Sequence, residues 1–268
     1  MVAFLVLPML IMLRYSFNVY VPGGLMKVTL SLVNYRQFFS DPYFQHVLGT
    51  TVWVAALCTI VSLVLAFPVA YVIARADQRY KAALLILVVF PLLVGNVVRA
   101  AGWMALFGTT GALNAVLLWL HLLRAPLHVM YTTTAVIVGI IAVVTPYMII
   151  ALQSVLEGID VKLEEAALNL GASGWSTFWR VTLPLAMPGV VAGTSLVFIL
   201  CMNAYATPFL LGGPSFKMMA QAIYDQIQSS QNWPFGAALA FILMVATVIL
   251  TVASQAVLSR RSKAAHSA

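Results

Sequence analysis

Acidic residues are scarce in this chain: seven Asp and Glu stand against 14 Lys and Arg in 268 residues, and charge of both signs accounts for only 8% of them. So little polarity cannot cover a folded core on all sides, which excludes a soluble globular domain. Cysteine is rarer still. Cys58 and Cys201 both lie within apolar runs with no Cys or His at ligand spacing, which excludes a disulfide framework and a zinc site and leaves them as small packing residues. His46, His121, His128 and His266 stand singly, and no GxxxxGK[ST] sequence occurs, so neither a metal centre nor a nucleotide-hydrolysing loop has residues to build it. The basic residues form no stripe either, apart from a short C-terminal cluster, and a nucleic-acid partner is not expected.

What the chain has is hydrocarbon: 63% hydrophobic residues and a mean hydropathy of +1.01. The charge-free runs 42–74, 82–98, 125–156, 181–216 and 226–259 are each about as long as, or longer than, the stretch needed to cross a bilayer. An N-terminal run, MVAFLVLPMLIML, is shorter and ends at Arg14. It makes a sixth span if it is tilted or borrows YSFNVY. A signal peptide competes for this segment, but no basic n-region precedes it and no small-x-small cleavage site follows. With both termini cytoplasmic, Arg75, Arg79, Lys81, Lys162, Arg180, Arg260, Arg261 and Lys263 fall inside, against Arg14, Lys27, Arg36, Arg124 and Lys217 outside.

The pattern predicts one all-α polytopic membrane domain over 1–268. Residues 18–41, with PGG and SDP, read as an exposed loop. Span two covers about 47–74, and span three about 82–106 with interruptions at Pro91 and Gly95 and with Arg99 near its far end as an interface anchor or helix tie. An interfacial or re-entrant piece follows between GTTG and Arg124. Spans four, five and six are expected at about 130–156, 189–210 and 235–258, with LGGPSFKMMAQAIYDQIQSSQNWP as a turn and short helix between the last two.

Between spans four and five, at about 157–188, lies an insert that is polar by the standards of this chain, with EEAALNLGASGWSTFWRVTLPLAMPG at its heart. Asp160 caps a helix whose first turns carry Glu164 and Glu165, and Gly171 closes it. Ser173 caps a second helix with Trp175, Phe178 and Trp179 on one stripe, and Pro184 and Pro188 are expected to break the chain before span five. On composition alone this could be an interfacial helix pair anchored by its tryptophans. The spacing, however, fits EAA-x3-G-x9-I-x-L-P, with Val181 in the Ile position. It resembles the cytoplasmic EAA loop of the binding-protein-dependent ABC importer permeases of type I.

That resemblance implies a six-helix permease fold in a bacterial inner membrane, with a coupling helix that docks on a separate ATP-hydrolysing subunit. Glu164, Glu165, Ala166, Ala167, Gly171, Val181, Leu183 and Pro184 are then the coupling residues. It also implies an ATPase dimer, a second and related permease subunit and an extracytoplasmic solute-binding protein as partners. ATP would be bound by the ATPase partner, so this chain would hold no cofactor and catalyse nothing.

The segments FPLLVGNVVRAAGWM (90–104), TPFLLGGPS (207–215) and NWPFGAALA (232–240) are similar to the spermidine/putrescine permease subfamily, with loop signatures shared by permeases for phosphonates, opines and amino-acid-like solutes. A polycation calls for carboxylates or aromatic faces, yet no acidic residue falls at mid-membrane. Asp225, with Trp233 near it in sequence, is the nearest acid, and pairing with Lys217 is its alternative role. Tyr147 beside Pro146, and Asn203 with Tyr205 before Pro208, complete the candidates for a substrate path, with helix-to-helix hydrogen bonding as the alternative for each. A secondary transporter would need an intramembrane acid or paired broken helices, and a polytopic membrane enzyme would need convergent His, Cys, Asp or Glu; neither pattern is present.

Overall fold

The computed structural model describes residues 2–23, 26–122 and 124–266. Thirteen α-helices are named here: α1 Val2–Ser16, α2 Val33–Ser40, α3 Pro42–Arg75, α4 Gln78–Leu93, α5 Asn96–Phe107, α6 Ala112–Trp119, α7 Thr133–Glu157, α8 Val161–Asn169, α9 Gly174–Thr177, α10 Leu183–Met202, α11 Ala206–Leu211, α12 Met219–Tyr224 and α13 Trp233–His266. Two π-helical turns, Phe178–Thr182 and Asp225–Ser229, lead out of α9 and α12. The fold is all-α. Five helical stretches among the described residues are long and apolar enough to cross a membrane: Pro42–Arg75, Asn96–Trp119, Thr133–Glu157, Gly174–Met202 and Trp233–Ala256. The N-terminal helix is apolar but shorter. It stops at Ser16 and takes only Tyr15 and Ser16 from YSFNVY. The side chains of Arg260, Arg261 and Lys263, counted toward orientation, lie outside the described residues.

The chain divides into two compact units. One gathers residues up to 55, 100–136 and 202–249; the other gathers 56–99, 137–201 and 250 onward. In the first, Phe44 meets Phe235 edge to face at 4.9 Å, and Met218, Met219, Leu211 and Leu239 are fully buried. The buried Thr51 hydroxyl of α3 accepts the Met219 N–H at 2.9 Å, which pins the start of α12. In the second, α7 and α10 approach closely because Gly189 and Gly193 carry no Cβ. A Cβ at 189 would lie 2.9 Å from the Val155 Cβ, and one at 193 would lie 2.7 Å from the Met148 sulfur. Small residues four apart allow this backbone approach where lipid supplies no hydrophobic drive.

Several expected boundaries move. Span three is divided at Val94 and Gly95, with Val94 in extended conformation, while Pro91 is absorbed into the last turn of α4. The expected span five does not reach 210: α10 ends at Met202, and Asn203–Tyr205 is non-helical before the short α11. Residues 18–41 are not simply an open loop. They contain α2, and the Asn34 amide, almost fully buried, donates to the backbone carbonyls of Ser16 and Asn18 at 2.8 Å each. The piece between GTTG and Arg124 is the eight-residue α6, whose buried Asn114 bonds the backbone of Gly108 and Leu127.

Pro184 and Pro188 do not break the chain. The helix that begins at Gly174 runs through the π turn into α10 and on to Met202. For Pro184, whose ring faces the carbonyl four residues back, the extra residue of the π turn relieves the clash with the preceding turn; Pro188 sits inside α10. The second half of the insert is thus the first part of the α10 span, and only α8 stands as a separate helix.

Candidate coupling site and polar path

The connection from α7 to α10 is shaped by its caps. Asp160 accepts the Lys162 N–H at 3.0 Å and starts α8; Ser173 accepts the Ser176 N–H at 3.2 Å and starts α9. At the other end of α8, Gly171 takes φ +87°, its N–H bonds the Leu168 carbonyl, and the Ala172 N–H bonds the Ala167 carbonyl. This is the paired 6→1 and 5→2 closure that leaves a left-handed residue after the last turn. The sequence thus specifies a helix of nine residues and a sharp reversal.

The two glutamates of α8 do different things. Glu164 is 7% exposed, and three side chains converge on it: Arg75 Nη2 donates to Oε1 at 2.9 Å, Thr182 Oγ1 donates to the same oxygen at 2.9 Å, and Tyr71 Oη donates to Oε2 at 2.8 Å. Arg75 also donates to the Ile159 carbonyl at 2.9 Å, and its guanidinium lies 5.6 Å from the centre of the Tyr71 ring. Burial pushes the Glu164 carboxyl up, but the hydrogen bonds from Arg75, Tyr71 and Thr182 with the Arg75 charge outweigh it and hold the group below the ordinary glutamate value. Glu165, by contrast, is exposed, as are Ala166, Leu168 and Gly171; Ala167 is half-buried. Leu170, at the tip of the reversal, is 89% exposed. Val181, Leu183 and Pro184 are half-buried on the way into α10.

Of the eight residues expected to couple, Glu165, Ala166 and Gly171 are exposed and Ala167, Val181, Leu183 and Pro184 half-buried, whereas Glu164 faces inward and fastens α8 to the end of α3. Sequence reasoning missed its partners Tyr71, Arg75 and Thr182. The sequence offers little signal for this: two neighbouring glutamates on a short helix look alike until packing turns one inward, where a buried carboxylate needs a cation, which Arg75 provides. Lys81 forms a further ion pair with Glu157 at the end of α7. Trp175, Phe178 and Trp179 form a ring cluster with centroids 5.4–6.2 Å apart, and Phe178 also meets Phe67 of α3 at 5.3 Å.

The polar-path candidates separate. Tyr147 is half-buried in α7, in the second unit. In the first unit, Tyr205 and Asp225 come together around Tyr224: the Tyr205 ring lies 5.1 Å from Tyr224 and 5.3 Å from Phe209, and Asp225 follows Tyr224 directly. Asp225 is ion-paired with Lys217, the alternative raised for it, and that carboxylate holds the Lys217 ammonium above the ordinary lysine value. Asn203 is exposed in the non-helical link after α10, and Trp233 opens α13, where the Asn232 side chain accepts the Phe235 N–H at 3.1 Å. Arg99 donates to the Asn96 side chain one turn away on α5. No group of three or more His, Cys, Asp or Glu that could hold a metal occurs among the described residues.

The family described as "Binding-protein-dependent transport system inner membrane component" matches residues 83–263. The "Spermidine/putrescine transport system permease protein PotB" of Haemophilus influenzae is 32% identical over 250 residues, which covers 93% of this chain and 87% of the relative. Its namesake from Salmonella typhi is 34% identical over 245 residues, covering 91% and 85%. Among solved structures, a bacterial alginate ABC transporter in complex with an alginate pentasaccharide-bound periplasmic protein aligns at TM-score 0.78 and 18% identity, over 97% of this chain and 90% of the other. The MetNI methionine ABC transporter, in an inward-facing conformation, aligns at TM-score 0.56 and 20% identity, over 84% and 99%. These structural likenesses concern the fold.

Proposed function

The chain belongs to the family of inner-membrane components of binding-protein-dependent transport systems, and on that premise we propose that it is a permease subunit of a bacterial ABC importer for polyamines. Relatives named for spermidine and putrescine transport cover nearly the whole chain at 32–34% identity, and this supports the substrate class. In this reading the chain forms part of the solute passage and hydrolyses nothing. ATP is bound and split by a separate ATPase dimer, a second permease subunit completes the passage, and a binding protein outside the inner membrane delivers the solute. No cofactor belongs to this subunit, and both termini face the cytoplasm.

The observation that carries the mechanism is the division of labour on α8. Its outward side offers Glu165, the small Ala166 and the apolar Leu168 and Leu170, a helix surface suited to a groove on a partner. Its inward side is fastened through Glu164 to α3 and to the π turn at the head of α10. Movement of the ATPase subunits against α8 would then reach α3 and α10 together as a rigid-body shift. Glu165, Ala166, Ala167 and Gly171 meet the ATPase in this scheme, with Val181, Leu183 and Pro184 carrying the push into α10, while Tyr147, Asn203, Tyr205, Asp225 and Trp233 contribute to the path.

Uptake of radiolabelled spermidine into proteoliposomes holding the full complex tests the reading. Accumulation that needs ATP, the binding protein and this subunit is expected. ATP-dependent uptake of another solute class with no uptake of spermidine would contradict the substrate assignment.

A further inference from the structure

The ion pair of Lys217 and Asp225 closes the loop from α11 to the second π turn, with both side chains about one-third exposed. Such a partly exposed pair contributes little to stability, so its surroundings are more informative than its presence. Phe209 and Tyr224 keep 49% and 44% of their surfaces open while packing against each other and against Tyr205. Beside the pair lies a cavity of about 250 Å³, bounded by Phe209, Gly213, Pro214 and Gln221 as well as the two charges. The loop that shapes it is fixed: Gly213 sits at φ +67°, and a Cβ there would fall 2.8 Å from the Tyr131 ring. A carboxylate, the half-open Phe209 ring and a preformed cavity are together suited to an ammonium. The ammonium now there belongs to the chain itself.

We propose that Lys217 is a built-in stand-in for the transported cation: its Nζ occupies the seat on Asp225 that a primary ammonium of a di- or polyamine takes during passage, and the incoming amine displaces it. This inference rests on the polyamine reading above. The step is an exchange of one primary ammonium for another, with no bond made or broken, and Asp225 keeps a counter-charge before and after. The carboxylate is therefore never left alone in a partly desolvated site, where an unpaired charge is costly. Asp225 also opens a π turn, a local widening of the helix that recurs at functional positions.

Opposed effects of two substitutions distinguish this from a structural ion pair. The complex is placed in lipid nanodiscs without binding protein, and equilibrium binding of radiolabelled spermidine is measured for the wild type, Lys217→Met, Lys217→Arg, Asp225→Asn and the double variant. Removing the competitor in Lys217→Met should tighten binding about tenfold, the size of one charge-assisted hydrogen bond. Lys217→Arg, which holds the carboxylate in a fork, should weaken it. Asp225→Asn should weaken it about tenfold or more, and the double variant should behave as Asp225→Asn. Equal losses in Lys217→Met and Asp225→Asn, or no change in either, in a complex that imports spermidine with its binding protein would overturn the inference alone. A complex that imports no amine would overturn the substrate reading and the inference together.

Discussion

Arg75, the last residue of α3, donates to the Glu164 carboxylate on α8 at 2.9 Å, although the two are 89 residues apart in sequence. The carboxylate is buried and Arg75 partly so, with side-chain exposures of 9% and 16%, and Tyr71 and Thr182 complete the shell around the carboxylate. Helix α8 is thereby held to a long apolar helix that is not its neighbour along the chain.

Removing one member of a buried pair strands the other. Glu164→Ala should cost about 3–5 kcal/mol, read as a lowered thermal midpoint of the purified complex. Tyr71→Phe, which deletes a single donor to the charged group, should cost about 1.5–3 kcal/mol. If the pair transmits movement, Glu164→Gln should lower the ratio of solute moved to ATP hydrolysed more than it lowers hydrolysis itself. An unchanged ratio would confine the pair to a structural role.

The same carboxylate predicts a pH dependence. Its folded value lies below the ordinary glutamate value of 4.5. The stabilisation it contributes is therefore fully present above that value and is lost as pH falls through the depressed one. The difference in thermal midpoint between the wild type and Glu164→Gln should be constant near neutrality and shrink below about pH 4.5. A gap that instead closed between pH 6 and 8 would point to another titrating group.

Gly171 is a backbone requirement and not a spatial one, since a Cβ there would meet nothing within 4 Å while φ is +87°. Gly171→Ala and Gly171→Asp should each cost about 1–2 kcal/mol in the turn and reduce transport by displacing α8. Gly171→Asn should be milder, because Asn visits the left-handed region more readily. Equal transport by all three would remove the turn from the coupling scheme.

Gly193 is the opposite case. Its missing Cβ is filled by the Met148 sulfur and the Ala151 methyl of α7. Gly193→Val should force α7 and α10 apart at a cost of about 1–3 kcal/mol, visible as a lower thermal midpoint; Gly193→Ala should be milder, since the methionine sulfur can move. A Val variant as stable as the wild type would show that this contact is loose.

Much of this was legible in the sequence because it rests on local rules. The caps Asp160 and Ser173, the left-handed Gly171 and the apolar spans each follow from a few neighbouring residues. What was not legible depends on distant or compensating partners. Pro184 and Pro188 signal a break, but the helix runs on through a π turn that ends just before Pro184. Glu164 and Glu165 look equivalent until the helix is packed and α3 supplies Arg75. Asp225 and Lys217 were within reach of each other in sequence, whereas the Tyr205, Phe209 and Tyr224 cluster beside them needs α11 and α12 to fold together.

In the proposed function, α8 connects solute passage to ATP hydrolysis in a partner. This connection is tested most directly by measuring ATP turnover of the complex in lipid bilayers, with free or spermidine-loaded binding protein, for the wild type and for Glu165→Lys together with Leu170→Asp. Turnover by the wild type should rise with the loaded binding protein, and the double variant should lose that rise and its hold on the ATPase subunits. Stimulation that survives in the double variant, with the ATPase still bound, would contradict the account.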